Sequence, residues 1–378
     1  MKHAVIAGYA RSPFTLAKKG DLARVRPDDL AAQTVRGLLE RVPVDPADLE
    51  DLIVGCAFPE GEQGFNVARM IDFLADLPIS VAGTTVNRFC GSSMQAIHMA
   101  AGAIRMNAGE AFLCAGVESM TRIPMGGYNP LPNPVLFERY PQAFASMGET
   151  AENLARKYDI PRRRQEEFAV ESQRKAAAAQ AAGRLDAEIV PIGGNGSRVE
   201  RDGCLRPDTT LEGLAELKLA FDEHGTVTAG TASPLTDGAS ATLVCSEDYA
   251  EQKGLKPLAR IKSIAVSGCQ PEVMGLGPVL STRKALERAG LALDDMDLIE
   301  LNEAFSSQSL AVIEELGMDE SKINLDGGAI ALGHPLGATG ARITGKAAAL
   351  LAREGGRYAL ATQCIGGGQG IATVLEAM

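Results

Sequence analysis

"LLERVPVDPADLEDLIVGCAF" (38–58) lies over "ALERAGLALDDMDLIELNEAF" (285–305) without a gap, Leu38 on Ala285 at a separation of 247 residues. Leu39-Glu40-Arg41 falls on Leu286-Glu287-Arg288, Asp48 on Asp295, and Ala57-Phe58 on Ala304-Phe305. Each copy predicts a helix, a turn and a buried apolar strand, "DLIVGCAF" and "DLIELNEAF". Further on, Val86-Asn87 and Ile323-Asn324 predict a second matching strand, each leading into glycine and small residues and then an apolar helix. Chance likeness between two amphipathic units does not explain an ungapped register with a shared order of elements, so duplication is the better account. Two similar α/β halves follow, each a sheet covered by helices on both faces.

What lies between the copies matches neither. "YNPLPNPVLFERYP" (128–141) is proline-rich and reads as irregular. Residues 147–192 predict two helices, the second with Pro161 near its first turn and an alanine-rich body. "GTVTAGTASPLTDGASATLVC" (225–245) returns to the core through turns and an apolar strand. The expected division is an N-terminal half over 1–119, an inserted loop domain over 120–224, a return segment over 225–256 and a C-terminal half over 257–378. Inserted loops of this kind commonly close over a site built on the core.

A net charge of -11 and a pI near 5.1 argue against bulk nucleic-acid binding, which needs a basic face. Seven widely spaced cysteines without a CxxC suggest neither a zinc site nor a disulfide framework. A reducing cytoplasm is the simplest setting. The apolar start "MKHAVIAGYARSPF" is too short for a signal peptide, and no run approaches the roughly 18 apolar residues of a membrane span.

Histidine is scarce. His3 and His224 read as surface residues and His98 as packed on a helix. His334 lies in "GGAIALGHPLGATGAR" (327–342), an apolar, glycine-punctuated loop that keeps an imidazole near neutrality and able to act as a base. Cys90, in "VNRFCGSSMQAI", stands at a strand-to-helix turn where an exposed sulfur would sit near a helix N-terminus whose dipole favours thiolate. A buried structural thiol is the commoner case for any one cysteine. Cys114 and Cys245 fit that description, whereas the Gly-Ser-Ser flank of Cys90 favours function.

Cys364 opens "CIGGGQG" after the strand "RYALATQ". The segment lacks the G-x-G-x-x-G spacing of a phosphate loop, and a plain turn does not need so many glycines. Close approach of a substrate to the backbone, with N–H groups as an oxyanion hole, is the third reading. In "LNEAFSSQ", Asn302 and Glu303 put polar groups at the end of a buried strand, which requires partners or a role. The first copy has Gly55 and Cys56 at those positions, as expected of a duplicated scaffold with one active site.

"VNRFCGSSMQA", "NEAFSSQ", "GGAIALGHPLGATGAR" and "CIGGGQG" occur in that order and resemble the four signature blocks of the thiolases. "RSPF", "MGETAENLA", "TVTAGTASPLTDGA" and "MGLGP" extend the resemblance over essentially the whole chain. It implies a duplicated five-layered αβαβα sandwich with an inserted loop domain that helps hold coenzyme A. It implies Cys90 as the nucleophile that carries the acyl group and His334 as the acceptor of its proton. Cys364 would be the acid/base at the α-carbon of acetyl-CoA. His334 and a water fixed by Asn302 would hold the enolate oxygen, and the backbone N–H groups of Cys90 and Gly366 the tetrahedral oxyanion. Each such donor is worth about 2.7–4 kcal/mol in the transition state.

By the same resemblance Ser233 contacts pantetheine and Arg206 the adenine nucleotide, while Met147, Met274 and Phe305 line the acyl and pantetheine tunnel. Coenzyme A and acyl-CoA are implied as substrates, with no tightly bound cofactor or metal, and a homodimer or homotetramer is implied. Arg162–Arg164 is either a phosphate patch or, as the blander reading has it, a solvated helix start. Ser146 stands where short-chain biosynthetic members carry a histidine, "CGSSMQA" resembles the degradative members, and the loop over 120–146 is short for a tetramer-forming one. Degradative thiolysis is therefore expected over acetoacetyl-CoA synthesis. A malonyl-decarboxylating condensing enzyme would need a second histidine or an asparagine beside the first, in place of Cys364. A non-catalytic acyl-CoA-binding protein would have lost a reactive residue.

Overall fold

A computed structural model describes residues 2–194 and 197–378. The first half contributes strands β1 (Ala4–Arg11), β2 (Leu49–Gly55), β3 (Ala82–Val86), β4 (Ala111–Ser119) and β5 (Thr236–Ser246). Its helices are α1 (Pro27–Leu39), α2 (Val67–Leu74) and α3 (Ser92–Arg105). Between β4 and β5 the insertion carries α4 (Met147–Lys157) and α5 (Arg162–Ala181). The second half contributes β6 (Ala259–Gly268), β7 (Leu298–Leu301), β8 (Tyr358–Ile365) and β9 (Gln369–Glu376), with α6 (Gly277–Ala289), α7 (Ser306–Leu316) and α8 (Leu336–Glu354).

These strands run in the order β7-β8-β9-β6-β1-β5-β4-β2-β3, and the halves join where Val5 and Ile6 of β1 meet Arg260 and Ala259 of β6. On each side of that joint the pattern is the same. β2 is parallel to β4 and β7 to β8, while β4 is antiparallel to β5 and β8 to β9. The repeat in the sequence is also a repeat in hydrogen-bond register. Leu52 opposes Leu113 in the first half and Ile299 opposes Leu360 in the second, both partners shifted by the same 247 residues.

One expectation is not met. β3 pairs with β2 along its whole length, but Ile323 makes a single bridge to Ile299 and no strand forms there. Asn324 supplies the reason. Its side-chain amide accepts from Leu301 N at 3.0 Å and donates to Leu301 O at 2.8 Å, taking the place of the next backbone residue while its own φ of +47° turns the chain away.

Side chains alternate between faces, as strands buried on both sides require. Leu52, Val54, Leu113 and Ala115 pack with α1 and α2, whereas Ile53, Phe112 and Cys114 face α3 and α8. In the second half Leu298, Ala359 and Ala361 face the same two helices, and Ile299, Leu301 and Leu360 pack with α6 and α7. The layers are thus α1/α2, a sheet, α3/α8, a sheet and α6/α7, the expected αβαβα order. α3 and α8 cross so closely that a Cβ on Gly340 would lie 2.3 Å from Met94 N.

Buried charges tie the insertion to both halves. Arg11 of β1 pairs with Glu188 at 2.8 Å and Asp202 at 2.6 Å, and Lys346 of α8 pairs with Glu188 at 2.9 Å and Asp326 at 2.7 Å. Losing one partner would strand the others in the interior. The arginines that start α5 are at least partly exposed and engaged with carboxylates and carbonyls of the chain itself. Arg162 pairs with Glu166 and donates to the carbonyls of Leu214, Ala215 and Leu217, Arg163 pairs with Glu167, and Arg164 pairs with Glu320. The proline-rich stretch is not wholly irregular, since Asn133 caps a short helix over Pro134–Arg139. Among the described residues no helix is long and apolar enough to cross a membrane.

Candidate active site

Cys90 and His334 hold equivalent places in the two halves. Each stands two residues ahead of a central-layer helix, α3 beginning at Ser92 and α8 at Leu336. The first half thus delivers a thiol and the second an imidazole to the same end of the central layer.

The turn that presents Cys90 is strained and braced. Phe89 has a φ of +43°, which a residue other than glycine rarely adopts. Ser92 Oγ accepts from Arg88 N at 2.9 Å and donates to Phe89 O at 2.6 Å, and Gln363 Nε2 donates to Cys90 O. The backbone N–H groups of Gly366 and of Cys90 itself lie where they favour the Cys90 thiolate. The sulfur is not the exposed thiolate expected at a helix N-terminus. It is 8% exposed, and burial pushes the thiol up to about 11 against the pull of those two N–H groups. Desolvation outweighs the helix dipole here.

His334 is buried, and burial together with Arg342 lowers it to about 3. Its Nδ1 lies 2.6 Å from Thr339 Oγ1, whose hydroxyl donates to Pro335 O at 3.0 Å. With the hydroxyl proton so used, Thr339 accepts, and the imidazole carries its proton on Nδ1. Nε2 is left with a free lone pair, toward which Asn302 Nδ2 donates at 3.4 Å. The pair at rest is therefore a neutral thiol and a neutral imidazole.

Asn302 and Glu303 part ways. Glu303 is fully engaged, accepting from Ser172 Oγ at 2.6 Å, Asn324 Nδ2 at 2.7 Å and Ile330 N at 3.1 Å, so it anchors α5 to the loop before His334. Asn302 is buried with no partner for Oδ1, an orphan acceptor beside the imidazole.

Cys364 closes β8, and residues 366–368 make the hairpin turn to β9, Ile365 facing Gln369. So the segment is a turn, and three of its four glycines are needed for backbone conformation or packing, two in the turn and one in β9. Gly367 and Gly368 have φ of +77° and +81°, and a Cβ on Gly370 would lie 1.9 Å from Gly277 O. Gly366 differs, since a Cβ there would meet Met147 Sδ only at 3.6 Å. Cys364 is buried, and burial first, then the neighbouring Cys90, push its thiol well above the ordinary range.

Met147, Met274 and Phe305 pack in one apolar cluster with Cys364. Ala232 bridges Phe305 and Ser233 N donates to Ala304 O at 3.0 Å, so Ser233 borders the same cluster. Phe221 adds to this wall, its ring edge-on to Phe305 at 5.8 Å and lying over Gly148. Arg206 stands apart, with an exposed side chain and a backbone N–H that donates to Gln173 Oε1 at 2.8 Å. Sequence reasoning missed Thr339, Gln363 and Glu118. Glu118 was discoverable, because a carboxylate inside "AFLCAGVES" meets the same desolvation argument that singled out Asn302.

Residues 4–248 match the family model described as Thiolase, N-terminal domain, and residues 255–377 the one described as Thiolase, C-terminal domain. The chain is 49% identical over 386 residues to a 3-ketoacyl-CoA thiolase of Idiomarina loihiensis and 47% identical over 389 residues to one of Bacillus subtilis, each match covering 100% of both chains. The crystal structure of human mitochondrial 3-ketoacyl-CoA thiolase is similar with a TM-score of 0.92 and 38% identity, over 100% of this chain and 99% of that one. The protein is an acyltransferase. Within that class the chain belongs to the thiolase family.

Proposed function

We propose that this thiolase is an acyl-CoA C-acyltransferase that cleaves 3-oxoacyl-CoA with coenzyme A by a two-step exchange through an acyl group on Cys90. Covalent catalysis splits the reaction. Cys90 loses its proton to Nε2 of His334 and its sulfur attacks the 3-oxo carbon. The bond between carbons 2 and 3 breaks, Cys364 protonates the departing acetyl-CoA enolate, and the acyl thioester stays on Cys90. The thiol of coenzyme A then gives its proton to the Cys364 thiolate and its sulfur attacks that thioester, and acyl-CoA leaves as the Cys90 sulfur takes its proton back from His334. The N–H groups of Cys90 and Gly366 hold the tetrahedral oxyanion, and His334 with a water on Asn302 holds the enolate oxygen. Condensation runs the same steps backwards.

One observation carries the reading: a second buried thiol, Cys364, stands on the strand end that packs on the Cys90 turn, where Gln363 donates to Cys90 O and a Cβ on Gly91 would lie 2.5 Å from Ile365. One cysteine cannot hold the acyl group and shuttle the α-proton at once. The name shared by the relatives supports degradation over synthesis. The apolar cluster around Met147, Met274 and Phe305 supports an acyl and pantetheine path past Cys364 bordered by Ser233, with Arg206 reaching the nucleotide end. No resident cofactor or metal is assigned a part, coenzyme A being substrate. Thiolysis kinetics from acetoacetyl-CoA to 3-oxohexadecanoyl-CoA test the assignment. Turnover extending to the longer chains is expected, and a sharp optimum at acetoacetyl-CoA would defeat it.

The proposed division keeps 1–119 as one half, 120–224 as the inserted domain, 225–256 as the return and 257–378 as the other half. The end of β4 at Ser119 and the start of β5 at Thr236 support it. Assembly into a homodimer or homotetramer is supported by β3, which among the described residues has a strand neighbour on one side only, and by Phe65 and Ile79, 97% and 77% exposed. Light scattering should return at least twice the chain mass, and a monomer would contradict it. Seven free thiols support a reducing cytoplasm.

A further inference from the structure

Glu118, near the end of β4, is buried and has no part in the chemistry assigned above. Four N–H groups converge on its carboxylate. Oε2 accepts from Ala57 N at 2.8 Å and Gly337 N at 2.9 Å, and Oε1 from Gln63 Nε2 at 2.8 Å and Phe58 N at 3.3 Å. The Cys56 thiol adds a contact to Oε1 at 3.8 Å.

The donors come from both halves. Ala57 follows β2 and packs with Cys90, Met120 and Leu336 in one cluster. Gly337 is the second residue of α8, three beyond His334, and a Cβ on it would lie 2.6 Å from Val117 O and 2.7 Å from Gly55 O. A single oxygen therefore joins the wall behind Cys90 to the helix start that carries His334. The thiol and the imidazole belong to different copies of the repeat, so their spacing must be set across the joint between copies. Charge-assisted bonds to backbone N–H groups are strong and directional, and a carboxylate at the start of α8 suits the helix dipole.

We infer that Glu118 is a positioning residue, which fixes the start of α8 against the loop after β2 and so sets His334 relative to Cys90. It touches no reacting atom. This rests on the reading of Cys90 as nucleophile and His334 as its base.

The test uses the full chain with Glu118→Gln. The substitution keeps the shape but turns an amide NH2 toward donors on one side. Two rates on Cys90 are measured, transfer of acetyl from acetyl-CoA and alkylation by iodoacetamide across pH. Acyl transfer needs the imidazole in place and is expected to fall about tenfold to hundredfold with KM little changed. Alkylation needs only the thiolate. Since the Glu118 charge opposes the Cys90 thiolate, the alkylation profile is expected to move to lower pH. Acyl transfer at the wild-type rate, or both rates falling together, overturns the inference. Should Glu118→Gln not fold, Gln63→Met removes one donor and keeps the charge. Acyl transfer should then fall about threefold to tenfold with the alkylation profile unmoved, and an unchanged rate overturns the inference. If wild-type Cys90 takes no acetyl group, the reading beneath the inference fails with it. If the wild type is acylated and the variants match it, only the role of Glu118 fails.

Discussion

Thr339 accepts the Nδ1 proton of His334 at 2.6 Å, and that contact decides which nitrogen of the imidazole is free to act as a base. The hydroxyl is committed to Pro335 O, so the tautomer is set by a buried threonine side chain.

Thr339→Val removes the acceptor and keeps the shape. Catalysis by a positioned general base is worth about 10²–10⁴-fold, and a lost tautomer lock should cost part of that, about tenfold to hundredfold in kcat with KM little changed. Thr339→Ser should restore most of the rate. Steady-state thiolysis by both variants checks this, and equal rates in Val and Ser variants would contradict it.

The hairpin glycines should separate into two kinds. Gly368→Ala forces a Cβ to within 2.3 Å of Cys269 O at a φ of +81°, and should destabilise the protein by about 2 kcal/mol or more. Gly366→Ala meets nothing closer than Met147 Sδ at 3.6 Å and should leave stability within about 0.5 kcal/mol. Its methyl would fill space where the thioester is to lie, so it should raise KM. Urea midpoints and thiolysis kinetics separate the two.

His98 predicts an acid-sensitive contribution. It is buried against Thr373 Oγ1 at 2.8 Å, and burial, then Arg88 and Arg288, lower it to about 3 from an ordinary 6.5. The unfolded chain therefore binds this proton first, and stability falls as pH drops from about 6.5 toward 3. His98→Gln keeps a partner for Thr373 and removes the titration. Between pH 7 and pH 4.5 the wild type should lose about 2–3 kcal/mol more than the variant. Parallel curves would contradict this.

Much of the scaffold was legible because duplication leaves a register. The match of residues 38–58 on 285–305 foretold β2, β7 and the helices before them, and the same offset reappears in the pairing with β4 and β8. The missing strand at Ile323 was not legible, because Asn324 replaces backbone hydrogen bonds with its side chain and local propensity does not reveal that. Cys90, His334, Asn302 and Cys364 could be picked out because cysteine and histidine are few and because a polar residue ending an apolar strand is costly. The burial of Cys90 could not, since it depends on the hairpin from the other half lying over it. Thr339 and Glu118 meet their partners across segments far apart or newly turned, and spacing in the sequence does not carry those contacts.

The proposed reaction divides its labour between two thiols. Cys364→Ala, incubated with acetyl-CoA and followed by intact-mass and peptide-mapping spectrometry, separates the two roles. One acetyl group should appear on Cys90, while no acetoacetyl-CoA forms on further incubation with acetyl-CoA. A variant that still makes acetoacetyl-CoA, or a wild-type enzyme whose acyl group maps to Cys364, would contradict the account.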